Sequence, residues 1–164
     1  MTLSPDILEE RLAAHLFNLA RQHREPFCAV VVDPASGAIL ATGINQSKTD
    51  PTQHSEMAAL RDLIARHPKT DRSAFKMYTT AEPCPMCAAA IVWCDFGDVV
   101  YGIRRPELVR LGWDDFSMRA QELLEDARTM GRYADKLSVF GPALRARCVD
   151  LFEGHRSRRA GVGA

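Results

Sequence analysis

Two short stretches carry residues able to hold a metal ion and move protons, His54-Ser55-Glu56 and Pro83-Cys84-Pro85-Met86-Cys87. His54, Cys84 and Cys87 offer an imidazole and two thiolates, ligand types that zinc prefers. Three protein ligands leave the fourth tetrahedral position to water, as a catalytic site requires and a closed structural site does not. The expectation is therefore one Zn2+ per chain with water as its fourth ligand. Zinc lowers the pKa of water from ~16 towards ~7. Glu56 lies two residues after His54 and outside the ligand set, so its carboxyl is left to take up and return protons. The competing reading is a folding site closed by Cys94, Cys28 or His67. Cys94 is two turns beyond Cys87 on the same helix, at 1.5 Å of rise per residue. His67 is at the far end of its helix from His54, and a closed site would leave Glu56 without a task.

Both stretches read as helix starts, where unpaired N–H groups and the positive end of the dipole favour thiolate over thiol. Cysteines three apart on a first turn share one face and can reach one ion. The Ala88-Ala89-Ala90 run lets that helix pack closely on the helix bearing His54.

The rest of the chain supplies elements to position these two starts. Ser4-Pro5 opens a helix with leucines at 8, 12, 16 and 19, expected to run to about Gln22. Cys28 to Val32 and Ala38 to Thr42 form a hairpin around the turn Asp33-Pro34-Ala35-Ser36-Gly37. Gly43 to Gln53 is a polar loop. Glu56 to Arg66 is a helix with Met57, Leu60, Leu63 and Ile64 on one face. Phe75 to Thr79 is a strand. The helix from Cys84 to Cys94 is apolar nearly all round and so is expected to be buried. Asp98 to Ile103 is a strand, Gly112 to Asp115 a loop or short turn, Met118 to Ala127 a helix and Ser138 to Phe140 a last strand. Pro142 starts a final helix that Gly154 is expected to close. Strand–helix–strand crossovers make neighbouring strands parallel. The resulting expectation is a three-layer α/β/α sandwich around a mixed five-stranded sheet. Residues 1–154 form a single zinc-binding domain in this reading, and 155–164 a flexible basic tail.

A formal net charge of zero excludes the strongly basic balance of a dedicated nucleic-acid binder. Five cysteines, an odd number, argue against a disulfide framework and for a reducing, cytoplasmic setting. Cys28, Cys94 and Cys148 sit among apolar neighbours and read as small core residues. The stretch Met1 to Glu10 has early acids and no long apolar core, unlike a signal peptide. No apolar run approaches the ~20 residues of a membrane span.

With these residues in view, the chain is identified as a member of the cytidine deaminase-like superfamily, most similar to its bacterial guanine deaminase branch. The tRNA adenosine deaminases and fungal cytosine deaminase stand close by. The resemblance covers roughly Pro26 to Phe116 through Pro26-Phe27, Asn45, Asp50 to Glu56, Glu82 to Cys87, Trp93 and Gly112-Trp113-Asp114-Asp115. It implies that His54, Cys84 and Cys87 bind zinc and that Glu56 is the proton shuttle. Asn45 and the backbone N–H of Ser55 would hold polar groups of a base, and Phe27 and Trp93 would line or stack on its rings. Asp115 would help handle the departing amine. Each has a plainer alternative: loop shaping for Asn45, core packing for Phe27 and Trp93, helix capping for Asp115.

The resemblance further implies a homodimer, with the C-terminal segment near a partner's active site. The chain ends Gly161-Val162-Gly163-Ala164, where the guanine branch often carries an aromatic residue that closes over the base. The favoured reaction is deamination of a small nucleobase, guanine first, with ammonia released. The alternatives are a tRNA adenosine-to-inosine editor, supported by Arg145, Arg147 and the Arg156-Ser157-Arg158-Arg159 run, a cytosine or triazine deaminase, and a zinc-binding interaction module. Nucleic acid is the less favoured partner and a membrane is not expected.

Overall fold

The computed structural model describes residues 5–113, 118–131, 136–139 and 142–161. The order along the chain is α1 (Pro5–His23), β1 (Cys28–Asp33), β2 (Ala38–Ile44), α2 (Ser55–Arg66), β3 (Lys76–Ala81), α3 (Pro85–Trp93), β4 (Asp98–Ile103), α4 (Arg105–Arg110), α5 (Ala120–Thr129), β5 (Lys136–Val139) and α6 (Pro142–Gly161). The strands make a mixed sheet ordered β2-β1-β3-β4-β5. β1 pairs antiparallel with both β2 and β3, and β3–β4 and β4–β5 are parallel. Crossovers were expected to make neighbours parallel. The α2 crossover instead joins β2 and β3, which run the same way but have β1 between them. β2 pairs with one edge of β1, so β3 pairs with the other.

Helices cover both sheet faces. On one, Leu12 and Leu16 of α1 and Leu144 and Cys148 of α6 pack on Val30, Val32, Tyr78 and Val100. On the other, Ala59, Leu60 and Leu63 of α2 and Ile91 of α3 pack on Ala29, Val31, Met77 and Val99. The period-2 alternation of strand side chains sends Val30 and Val31 to opposite faces, so one strand feeds both cores. α5 lies outside this sandwich against α3, through Val92, Leu124 and Ala127.

Close backbone approach sets where the site helices sit. A Cβ built on Gly43 of β2 would lie 1.9 Å from the Ser55 carbonyl oxygen and 2.5 Å from the Ala59 nitrogen. Only a bare Cα lets α2 lie against β2 there. At Gly102 of β4 a Cβ would meet Cys148 Sγ at 2.2 Å, so α6 is held equally close on the other face.

Four expectations need correction. α4 lies where no helix was read, opened by Pro106 in its first turn and by Glu107, whose carboxylate accepts the Arg104 N–H. α3 is buried along Cys87, Ala88, Ile91 and Val92 but not all round, because its outer side faces α5 and solvent rather than a second sheet. Ile64 does not complete the buried face of α2, which consists of Ser55, Glu56, Ala59, Leu60 and Leu63. Gly154 does not close α6. The helix continues to Gly161, so the stretch expected as a flexible tail is helical as far as that residue. Glycine in a helix interior costs ~1 kcal/mol, and docking of the residues that follow offsets it. The Trp113 ring stacks on His155, and the Arg156 guanidinium covers Gly112.

Candidate metal centre and nucleobase pocket

His54 and Cys84 each occupy the N-cap of a helix, His54 on α2 and Cys84 on α3. Both have extended backbone, and neither side chain caps its own helix. Pro85 at the first position of α3 suits a helix start, where its missing N–H costs nothing. The cap geometry turns both side chains inward. Cys84 Sγ lies 3.4 Å from His54 Nδ1, Cys87 Sγ 3.7 Å from the same nitrogen, and the two sulfurs 3.5 Å apart. Among the described residues these three make the one group of His, Cys, Asp and Glu able to share a metal ion. Cys28, Cys94 and His67 do not join it, so the closed site finds no fourth ligand among them.

The donor set suits zinc. An imidazole nitrogen and two sulfurs converge with all ligand atoms within 4.8 Å of one another. The two sulfurs share a hydrogen bond, and His54 adds to the effect. Cys84 is thereby drawn below the ordinary thiol value while Cys87 is pushed above it. A thiol drawn below its ordinary value suits a soft divalent cation, which binds the thiolate. Burial instead pushes Cys28 and Cys148 up to about 12, which fits their reading as inert core residues.

Glu56 sits in the first turn of α2, 6% exposed. Desolvation raises its pKa, opposed in part by hydrogen bonding and by His54. The Ser55 hydroxyl donates to Oε2 at 3.0 Å and the Thr79 hydroxyl to Oε1 at 3.3 Å, so each carboxyl oxygen has its own donor. Thr79 was not singled out in the sequence. A threonine in a strand is unremarkable until β3 is known to run beneath the start of α2.

A cavity of about 250 Å³ opens beside these groups. It is lined by His54, Ser55, Glu56 and Cys84 and, of the residues carried over by resemblance, by Phe27 and Asn45. The Asn45 side-chain oxygen accepts the Ser47 N–H at 3.4 Å. Trp93 does not line the cavity. It ends α3 on the surface, 68% exposed, because Ile91 and Val92 take the inward positions there. Trp113 is the cavity's indole, set edge-to-face on Phe27 with centroids 5.1 Å apart. Asp115 lies outside the described residues.

Arg105 and His155 also stand in the cavity wall, though nothing in their type or spacing singles them out along the chain. Arg105 is buried beside Glu82, whose carboxylate accepts the Arg105 N–H, the Arg119 side chain and the Ala120 N–H. Glu82 thus ties the start of the Pro83 to Cys87 segment to α4 and α5. Its place in the motif was visible, but its partners were far along the chain.

Comparison with known proteins agrees with this geometry. The family model of the cytidine and deoxycytidylate deaminase zinc-binding region matches residues 8–103. A guanine deaminase of Bacillus subtilis is 38% identical over 92 residues, 55% of this chain and 58% of that protein, so the match spans little more than half of its length. A tRNA-specific adenosine deaminase of Haemophilus influenzae is 31% identical over 122 residues, 70% of each chain. The fold is shared with a guanine deaminase from Nitrosomonas europaea, at TM-score 0.72 and 24% identity, over 88% of this chain and 82% of that one. With three zinc ligands converged and the family's zinc-binding region matched across them, the chain belongs to the cytidine and deoxycytidylate deaminase family.

Proposed function

We propose that the chain is a zinc-dependent hydrolytic deaminase of a small aminated nucleobase, guanine favoured, in which water replaces the ring amine and ammonia leaves. The observation that carries this reading is Glu56, a buried carboxyl with a raised pKa beside three metal ligands, in the wall of a cavity open to a small ring. At about 250 Å³ the cavity is below the ~300 Å³ at which pockets for drug-sized ligands begin.

Zinc held by His54, Cys84 and Cys87 supplies Lewis acidity that makes a proton of water available near neutral pH. Glu56 takes that proton and delivers it to a ring nitrogen as the oxygen bonds to the ring carbon. It then takes the second proton, from the hydroxyl now on that carbon, and delivers it to the amine as the C–N bond breaks and ammonia leaves. A raised pKa suits a group that must both accept and donate. The Ser55 and Thr79 hydroxyls hold its two oxygens and fix which way the carboxyl faces. The amide NH2 of Asn45 and the N–H of Ser55 meet acceptors on the base, and Phe27 supplies an apolar surface for the ring. Asp115 acts as a second acid at the amine; Trp113, two residues before it, lines the cavity. Guanine is favoured by the resemblance through the Trp113 segment, and by the Bacillus subtilis relative. The chain works as a homodimer in this reading, with the exposed Trp93 indole as apolar surface for a second copy.

RNA editing has less support. Arg145 pairs with Glu107 and Arg147 with Glu10, so two of the arginines that suggested a phosphate-binding run are already engaged. The test is ammonia release by the zinc-loaded chain from guanine, cytosine, isocytosine, adenine, triazines and nucleosides, beside retention on tRNA at moderate salt. Turnover of a free base without tRNA retention is the expected result. Retention on tRNA with no turnover of any base would replace this reading with the editing one.

A further inference from the structure

His155 is a cavity residue to which the proposed reaction assigns no task. It lies in the part of α6 beyond Gly154 and lines the same space as Glu56 and Cys84. Its ring stacks on Trp113 with centroids 5.9 Å apart and 30° between the planes. Trp113 is itself locked, edge-to-face on Phe27 and on Phe152 at 5.1 and 5.6 Å, and Phe152 packs on Phe27 at 4.8 Å. One turn of α6 therefore supplies both Phe152, buried in this trio, and His155 at the cavity.

The placement of α6 is fixed on both sides of that turn. The Arg156 guanidinium would lie 2.9 Å from a Cβ on Gly112, a residue with φ +79°. Cys148 is seated against Gly102 of β4. A side chain delivered to a pocket by a helix pinned in this way meets the ligand in one orientation. The imidazole carries a nitrogen donor and a nitrogen acceptor in its neutral form, so it can read the polar edge of a heterocycle while its face rests on the indole.

We propose that His155 is a specificity-determining residue that hydrogen-bonds the polar edge of the substrate base, with Trp113 as the platform behind it. The inference rests on the nucleobase reading above. It places recognition on α6 of the same chain that holds the metal ligands, and it sets His155 apart from the proton shuttle.

The test uses three variants of the zinc-loaded chain, H155A, H155Q and H155F, checked by zinc content and melting temperature. KM and kcat are measured for each base that the wild type accepts. Base binding is followed in parallel by fluorescence in a W93F background, where Trp113 remains as the single tryptophan of the chain's two. Losing one hydrogen bond to the base should raise KM and Kd about tenfold. H155A and H155F should both show that rise, with kcat within about twofold and a narrower preference between bases. H155Q, which keeps a donor and an acceptor, should recover part of it. Unchanged KM and unchanged preference in folded H155A, or full recovery by H155F, would overturn the proposal and leave the deaminase reading standing. Base-dependent quenching that weakens in H155A, with no ammonia released by the wild type, would sink the deaminase reading and leave the role of His155 standing. Neither quenching nor turnover with any base would overturn both.

Discussion

At the scale of single residues, the site depends on hydroxyl groups as much as on metal ligands. The Thr79 hydroxyl donates to one oxygen of Glu56 in a fully enclosed setting. Replacing it with valine keeps the shape and removes the donor. A hydrogen bond to a buried carboxyl contributes ~1–2 kcal/mol, so T79V should keep its zinc and lose about tenfold in kcat, read by metal analysis beside steady-state kinetics. Equal kcat in the two proteins would show that Thr79 does not orient the shuttle. The cysteines separate by chemistry in the same way. Cys28 and Cys148 are pushed up to about 12 by burial, so at pH 8 a thiol reagent should leave both unlabelled in the folded chain. A chelator should add Cys84, whose thiol is drawn below the ordinary value, to the labelled set, as mass spectrometry of the modified peptides would show. The zinc ligands and Glu56 were readable from the sequence because ligand type and short spacing carry them. Thr79 and His155 were not, because each owes its place to an element distant in the chain. Trp93 was misplaced for a related reason: in an apolar, alanine-rich helix the sequence does not say which side faces the sheet.

At the scale of elements, two glycines separate the effect of space from that of backbone conformation. At Gly43 a Cβ would run into the Ser55 carbonyl oxygen, in a stretch with no positive φ. At Gly131 no atom of the described residues lies within 4 Å, but φ is +69°. G131A should therefore cost only the ~1 kcal/mol of left-handed strain, while G43A must displace the start of α2 and cost ~3 kcal/mol or more. G43A should also weaken zinc binding, since His54 caps that helix. Chemical denaturation and a zinc competition assay would check both. The hairpin turn carries a pH signature. The Ser36 hydroxyl and then the Ala35 N–H hold the Asp33 carboxyl below the ordinary carboxylate range. Its contribution to stability is present above the unfolded-state value and is lost as pH falls through the lowered folded one. D33A should flatten that acid limb of a melting-temperature profile and leave the limb above neutral pH unchanged. Most elements were legible as runs of period 2 or 3.6. The exceptions have physical causes: α4 is one short helix held by Glu107 and by packing of Leu108, and α6 outlasts Gly154 because His155 and Arg156 dock on the Trp113 loop.

At the scale of the whole molecule, the sheet brings the ends of distant segments to one place. β2 leads to Asn45, α2 starts at His54 and Glu56, β3 leads to Glu82 and Cys84, and α6 returns from the opposite face with His155. No helix among the described residues is long and apolar enough to cross a membrane. Glu82 ties the end of β3 to α4 and α5 through Arg119 and the backbone of Arg105 and Ala120. The central claim is that Glu56 moves the protons of a hydrolytic deamination at a zinc centre held by His54, Cys84 and Cys87. The direct measurement is ammonia release from guanine by zinc-loaded wild type and E56Q, with zinc content determined for both. Wild type should release ammonia, and E56Q should keep one zinc per chain while its kcat falls by about 10²–10⁴. A folded, zinc-bearing E56Q that releases ammonia at the wild-type rate would contradict the claim.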